Sequence, residues 1–143
     1  AKNLNFTAAI CYEIIIGAQL QKNLTANSDF ILTVSNDAWF GNSIGPWQHL
    51  QMAQMRALEL GKPVIRATNT GVTAFIDAQG KIVAQAPQFV ETVLTHRIAP
   101  AQGKTPYSVF GDMPLYVLSA VFFLLHLLGM WLQRLILKRV RKD

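Results

Sequence analysis

Hydrophobic and polar positions alternate along this chain with two different periods, and the changes of period mark its elements. "LNFTAAI", residues 4–10, sets Leu4, Phe6, Ala8 and Ile10 against Asn5 and Thr7, the period of two expected of a strand covered better on one face. After Cys11 the pattern shifts. "EIIIGAQLQKNLTAN" predicts a helix with Ile14, Ile15, Ala18 and Leu24 turned inward, although its isoleucines are only modest helix formers. "FILTV", residues 30–34, is the next strand and feeds "SNDAWFGNSIG", a polar and aromatic loop rich in turn formers. Pro46 then opens a helix at its first position, and "WQHLQMAQMRALEL" runs to the stop signals Gly61 and Pro63. On this helix Met52 and Met55 read as core residues, with Leu58 and Leu60 nearby. "PVIRAT", "VTAFID" and "KIVAQA" follow as short strands separated by "NTG" and "AQG", and "TVLTHRI" is expected to make a fourth.

The order is strand, helix, strand, helix, then several strands. It predicts a layered α/β domain with mixed strands, because the later hairpin spacings are too short for the helical crossovers of a doubly wound parallel sheet. The sequence shows no internal repeat and no glycine-rich phosphate loop.

Composition adds a second part to this picture. At 143 residues, a 51% hydrophobic content is high for a soluble domain. The excess sits in "LYVLSAVFFLLHLLGMWL", residues 115–132, which carries no formal charge. Eighteen residues at ~1.5 Å each nearly match a hydrocarbon layer of ~30 Å. Behind it stand Arg134, Lys138, Arg139, Arg141 and Lys142, the positive cluster expected on a cytoplasmic side. These five basic residues and Asp143 supply +4 of the net charge of +5. The rest of the chain is therefore close to neutral, which removes the main support for nucleic acid as a partner and favours anionic lipid headgroups. The expected division is a catalytic part over residues 1–99, a connector at 100–113, a transmembrane helix at 114–134 and a basic tail at 135–143. The opening "AKNLNFT" has no initiator Met and no signal sequence, as expected of a segment of a longer polypeptide.

Cys11 is the only cysteine, which excludes an internal disulfide and a cysteine-cluster metal site. A lone cysteine is often a buried filler. Here it stands where a strand gives way to a helix, so that unpaired N–H groups and the positive end of the helix dipole face it and stabilise a thiolate nucleophile. Glu13 opposes that effect unless the two side chains point apart. Histidine is the usual base for such a nucleophile, but His49 in a helix and His96 in a late strand read as surface or packing residues. His126 lies inside the apolar span, where an ionisable group is costly, and too far along it to serve Cys11. Asn36 and Asp37 are able to fix their loop by side-chain to backbone bonds. Trp39 and Phe40 either contact lipid or pack under the sheet. Arg56, Glu59 and Arg66 pair with one another or with upstream residues, and no chemistry is assigned to them.

The motifs "ICYE" after a strand, "SNDAWFG", "RALELGKPVIRATNTG" and a terminal apolar span together resemble the C-terminal part of the membrane-embedded acyltransferase branch of the nitrilase, or carbon-nitrogen hydrolase, superfamily. The first three motifs have versions in soluble relatives and the span does not. The resemblance covers nearly the whole chain from Leu4 onward. It implies the C-terminal part of an α-β-β-α sandwich followed by one transmembrane helix, with a Glu, Lys, Cys triad and no cofactor or metal. By that resemblance Cys11 is the nucleophile and the Tyr12 amide an oxyanion donor, with Glu13 in a supporting role or, alternatively, as a solvated first-turn carboxylate. Asn36, Trp39 and Phe40 become candidate contacts to substrate or lipid. The family's Glu and Lys lie upstream of Leu4, so neither Glu13 nor Lys2 nor Lys22 takes their place.

The implied activity moves a fatty acyl group from a phospholipid, through a cysteine thioester, to the N-terminal amine of a diacylglyceryl-cysteine in a lipoprotein. The implied partners are these two substrates and membrane lipids. The upstream part of the same polypeptide would complete a monomer. The implied location is a bacterial inner membrane, multi-pass, with the catalytic part periplasmic and the tail cytoplasmic. Two alternatives stay open: a nitrilase-type amidase acting on a small C–N substrate, and a non-catalytic membrane-anchored α/β module.

Overall fold

The computed structural model describes residues 4–140, apart from the side chains at 135, 136 and 138–140. Lys2, Arg141 and Lys142, and the side chains of Lys138 and Arg139, therefore lie outside the described residues. The chain divides into two compact units, residues 1–109 and residues 110–143.

The first unit is built on a five-stranded sheet in the order β1 to β5: β1 (Phe6–Ile10), β2 (Phe30–Asn36), β3 (Val64–Asn69), β4 (Ala74–Ile76) and β5 (Ile82–Gln85). The first three strands are parallel and the last two antiparallel. This follows from the connections. A parallel neighbour needs a long crossover, supplied by α1 (Gly17–Asn23) and α2 (Gly45–Leu60), whereas the "NTG" and "AQG" stretches only turn the chain back on itself. Helix α2 begins with Pro46 in its first turn and stops at Gly61, whose φ of 62° takes the left-handed conformation that ends helices.

One face of the sheet packs on the helices. Ala9, Ile31, Val64, Ala74 and Ile76 meet Ile14, Leu20, Leu50, Ala53, Ala57 and Leu60 in a single cluster with no more than 1% exposure. The opposite face is also apolar. Phe6, Ile10 and Val34 are exposed there, with the Phe6 and Phe30 rings stacked at 5.8 Å. The inward side of β1 is therefore Thr7 and Ala9, the reverse of the face expected from the sequence. Thr7 is satisfied by its hydroxyl contact with Ser28 at 2.8 Å.

Three further expectations are corrected. The helix anticipated after Cys11 is broken into a 3-10 turn, Cys11–Ile15, and the short α1, with Ala18 exposed and Leu20 buried. Residues 92–98 form no strand, and Val93 is 89% exposed. Met52, Met55 and Leu58 lie on the outer surface of α2 and not in the core. Within this unit, residues 101–108 pack back against Lys62 and Gln21 instead. Lys62 donates to the Ala101 carbonyl at 2.7 Å, and Gln21 donates to the Ser108 carbonyl at 3.2 Å.

After α3 (Pro106–Phe110), the second unit consists of α4 (Met113–Val140). Its stretch Met113–Arg134 is 22 residues long and apolar enough to cross a membrane, and none of its apolar window is buried. Exposure of so long an apolar stretch, uncharged over residues 115–132, is consistent with lipid as its solvent.

Leu50 is 1% exposed at the centre of the helix-to-sheet contact. In the full-length protein, Leu50→Ala is expected to destabilise the domain by about 2–5 kcal/mol, read as a lower midpoint of thermal unfolding in detergent.

Candidate functional site

The parallel strands β1, β2 and β3 end side by side, and their C-terminal ends present Cys11, Ser35, Asn36, Thr68 and Asn69 around one open cleft of about 620 Å³. Cys11 follows β1 directly, with φ of 53°. A non-glycine residue in this left-handed region carries about 1–3 kcal/mol of strain and persists only where its surroundings hold it. Glu13 is part of that hold. Its carboxylate accepts the Ile10 N–H at 2.7 Å, bending the chain back across the start of the 3-10 turn. Glu13 is therefore engaged with the backbone beside Cys11. The Tyr12 N–H lies in the first turn, where the donors have no partner within the turn. Its ring is exposed, stacks on the His49 ring at 5.7 Å and lies 6.3 Å from the Phe40 ring.

Around the cleft mouth Trp39 is 93% exposed, while Phe40 is half-buried and meets His49 edge-on at 6.1 Å. Packing under the sheet thus does not hold for Trp39. Asn36 fixes the loop by accepting the Ala38 N–H at 3.2 Å, and it also accepts from the Asn69 side chain at 3.4 Å. His96 is exposed in the segment after β5, 5.6 Å from the Phe75 ring.

Below the cleft lies a buried polar cluster. Asp37 and Arg66 form an ion pair at 2.7 Å with both side chains 0% exposed. His49 Nδ1 lies 3.0 Å from the other Asp37 oxygen and 3.1 Å from Arg66 Nη2. Ser35 joins this cluster to the cysteine, its Oγ standing 3.6 Å from Cys11 Sγ and 2.6 Å from Asp37 Oδ1. Burial lowers the Arg66 guanidinium from its ordinary value. The Asp37 charge and hydrogen bond oppose that change, and the Cys11 sulfur adds to the opposition. Arg66 also donates from Nε to the Val72 carbonyl at 3.2 Å. Gly71 makes room for the cluster, since a Cβ there would stand 2.2 Å from Asp37 Oδ2.

The sequence reading singled out the residues at the mouth but not the residues beneath it. His49 was expected to be a surface or packing residue and is hydrogen-bonded inside the cluster. Arg66 was given no chemistry. The one signal for it was a charge at an inward position of an otherwise apolar strand, which requires a buried counter-charge. Among the described residues no group of three His, Cys, Asp or Glu side chains could hold a metal ion.

A sequence profile of the carbon-nitrogen hydrolase family matches residues 2–105. The chain is 67% identical over 134 residues to the apolipoprotein N-acyltransferase of Haemophilus influenzae and 66% identical over 133 residues to that of Pasteurella multocida, covering 94% and 93% of this chain. The enzyme of the same name from Vibrio parahaemolyticus is 53% identical over 134 residues. The chain spans 26% of the length of each of these relatives.

Removing one member of a buried ion pair strands the other, whereas removing both does not. Arg66→Leu is therefore expected to destabilise the full-length protein by about 3–5 kcal/mol. The Arg66→Leu/Asp37→Leu double variant should recover most of that loss, as read by thermal unfolding of the two variants beside the wild type.

Proposed function

This chain belongs to the carbon-nitrogen hydrolase family, and from that premise we propose that it carries the nucleophile of an enzyme that N-acylates apolipoproteins. The observation that carries the reading is a cysteine on a strained turn, open to a cleft walled by Ile10, Val34 and Trp39, in a chain so similar to enzymes named for that reaction. A polar small-molecule site has little use for a tryptophan that exposed, whereas an acyl chain or a membrane interface does.

In the proposed reaction the Cys11 thiolate attacks the ester carbonyl of a phospholipid. The carbon-sulfur bond forms, the ester carbon-oxygen bond breaks, and the lysophospholipid leaves with a proton from the base that the family supplies upstream. The Tyr12 N–H donates to the oxyanion in the tetrahedral state, together with the family's upstream lysine. In the second half the α-amino group of a diacylglyceryl-cysteine attacks the thioester. The carbon-nitrogen bond forms, the sulfur leaves as thiolate, and the amine proton returns to the base. The product is an amide, which is more stable than the thioester.

Both substrates are lipid-anchored. Withdrawing an acyl chain into water would cost about 0.8 kcal/mol per CH₂, so an enzyme held in the same bilayer meets them by lateral diffusion. The apolar helix supports such an anchor. The basic residues that follow it favour the cytoplasmic side, which would put the catalytic part on the opposite, periplasmic face of a bacterial inner membrane.

Full-length protein incubated with phospholipid bearing a labelled acyl chain is expected to take up label at Cys11, and Cys11→Ala to take up none. Hydrolysis of small amides by intact protein that never acquires the label would overturn the reading. Trp39→Ala should slow acyl uptake from vesicles by roughly tenfold, the loss of one large apolar contact. Alkylation of Cys11 by a small soluble reagent should be left within about twofold, since that reagent needs no lipid contact.

A further inference from the structure

The Ser35 hydroxyl stands between two groups that both need it, Asp37 Oδ1 at 2.6 Å and Cys11 Sγ at 3.6 Å. A hydroxyl carries one hydrogen and two lone pairs. While the sulfur is a thiol, both contacts are satisfied when S–H donates to Ser35 and Ser35 donates to Asp37. Once the sulfur is a thiolate it has nothing to donate, and the same hydroxyl serves it only by turning its hydrogen from the carboxylate to the sulfur.

The surroundings permit that turn. Asp37 Oδ1 retains the contact to His49 Nδ1 at 3.0 Å, and Oδ2 retains Arg66 at 2.7 Å, so the carboxylate is not stranded when Ser35 leaves it. Asp37 and Arg66 are each 1% exposed and His49 is 3% exposed. With these groups sealed from solvent, the hydroxyl faces no competing water on the side of the cluster.

We propose that Ser35 is a positioning residue for Cys11, its hydroxyl reorienting between the Asp37 carboxylate and the sulfur so that the sulfur has a hydrogen-bond partner in both protonation states. The proposal rests on Cys11 being the nucleophile, and it adds a function to a residue for which none was assigned. No covalent bond at Ser35 changes. The thiol proton leaves to the upstream base, the hydroxyl turns toward the sulfur, and it returns to Asp37 when the thioester forms, because an acylated sulfur is a poor acceptor. When the amine expels the sulfur the hydroxyl meets the departing thiolate again. Ser35 thereby assists both half-reactions.

The charged and titratable groups around the sulfur are Glu13 and Tyr12 on its own turn, Asp37 beyond Ser35, His49 from α2 and Arg66 from β3. Glu13 is engaged by the Ile10 amide, and the Asp37 charge is offset by Arg66. Ser35 is the side chain in direct hydrogen-bond contact with the sulfur.

The test is the rate of Cys11 alkylation by iodoacetamide in the full-length protein as a function of pH, with the modified peptide identified by mass spectrometry. Loss of one hydrogen bond to a charged group predicts roughly a tenfold lower rate at neutral pH for Ser35→Ala, with the profile displaced to higher pH. Ser35→Thr, which keeps a hydroxyl, should restore the rate to within about threefold. A Ser35→Ala profile that overlays the wild type would overturn the proposal, and so would a uniform loss at every pH without displacement. Labelling from phospholipid is scored separately. A wild type that takes up no acyl label defeats the acyltransferase reading, while the alkylation profiles still decide the role of Ser35.

Discussion

The ion pair between Asp37 and Arg66 is the interaction on which the site depends. Two full charges at 0% exposure survive because each is the other's counter-ion and because further partners are in place, Arg66 Nε on the Val72 carbonyl and Asp37 with Ser35 and His49, while Arg66 Nη1 and His49 Nε2 have no partner among the described residues. The pair ties the loop after β2 to the middle of β3. It thereby fixes the end of β2, where Ser35 meets the cysteine, and the start of the aromatic loop that carries Trp39. A hydrophobic pair in the same space would hold the strands together as well, but it would leave Ser35 without a carboxylate to orient it.

This arrangement acts on Cys11 from two sides. Its backbone is strained into the left-handed region by a turn that Glu13 closes from one side. Its sulfur is reached from below through Ser35, while the mouth above mixes Ile10, Val34 and Trp39 with Asn36, Thr68 and Asn69. The ion pair and His49 are thus sealed beneath an open cleft.

How much of this could be read from the sequence depends on the range of the interaction. Helix α2 was legible because its start and stop signals, Pro46 and Gly61, act within a turn of themselves. The hairpins joining β3, β4 and β5 were legible for the same reason. The facing of β1 was not, because the sheet is apolar on both sides and alternation then carries no information about which side is covered. The helix after Cys11 was overextended, because no local pattern announces a cysteine with a left-handed backbone or the break that follows at Ile16. "TVLTHRI" has the composition of a strand but pairs with no strand among the described residues. The place of Cys11 at the end of a strand was legible from the change of period, whereas the cluster beneath it joins residues 12 to 29 positions apart, a range at which periodicity is silent.

Gly71 shows how far that cluster reaches into the chain. The glycine of the "NTG" turn looks like ordinary hairpin punctuation, yet the space where its side chain would be is taken up by the Asp37 carboxylate from the loop after β2. Even an alanine there would push against Asp37 before it disturbed the turn, and the displacement would pass through Ser35 to the sulfur. Drift at position 71 is therefore coupled to the identity of residue 37. A lineage that enlarged the first would have to shorten or abandon the second, and Ser35 would lose the carboxylate that it now bridges to the cysteine.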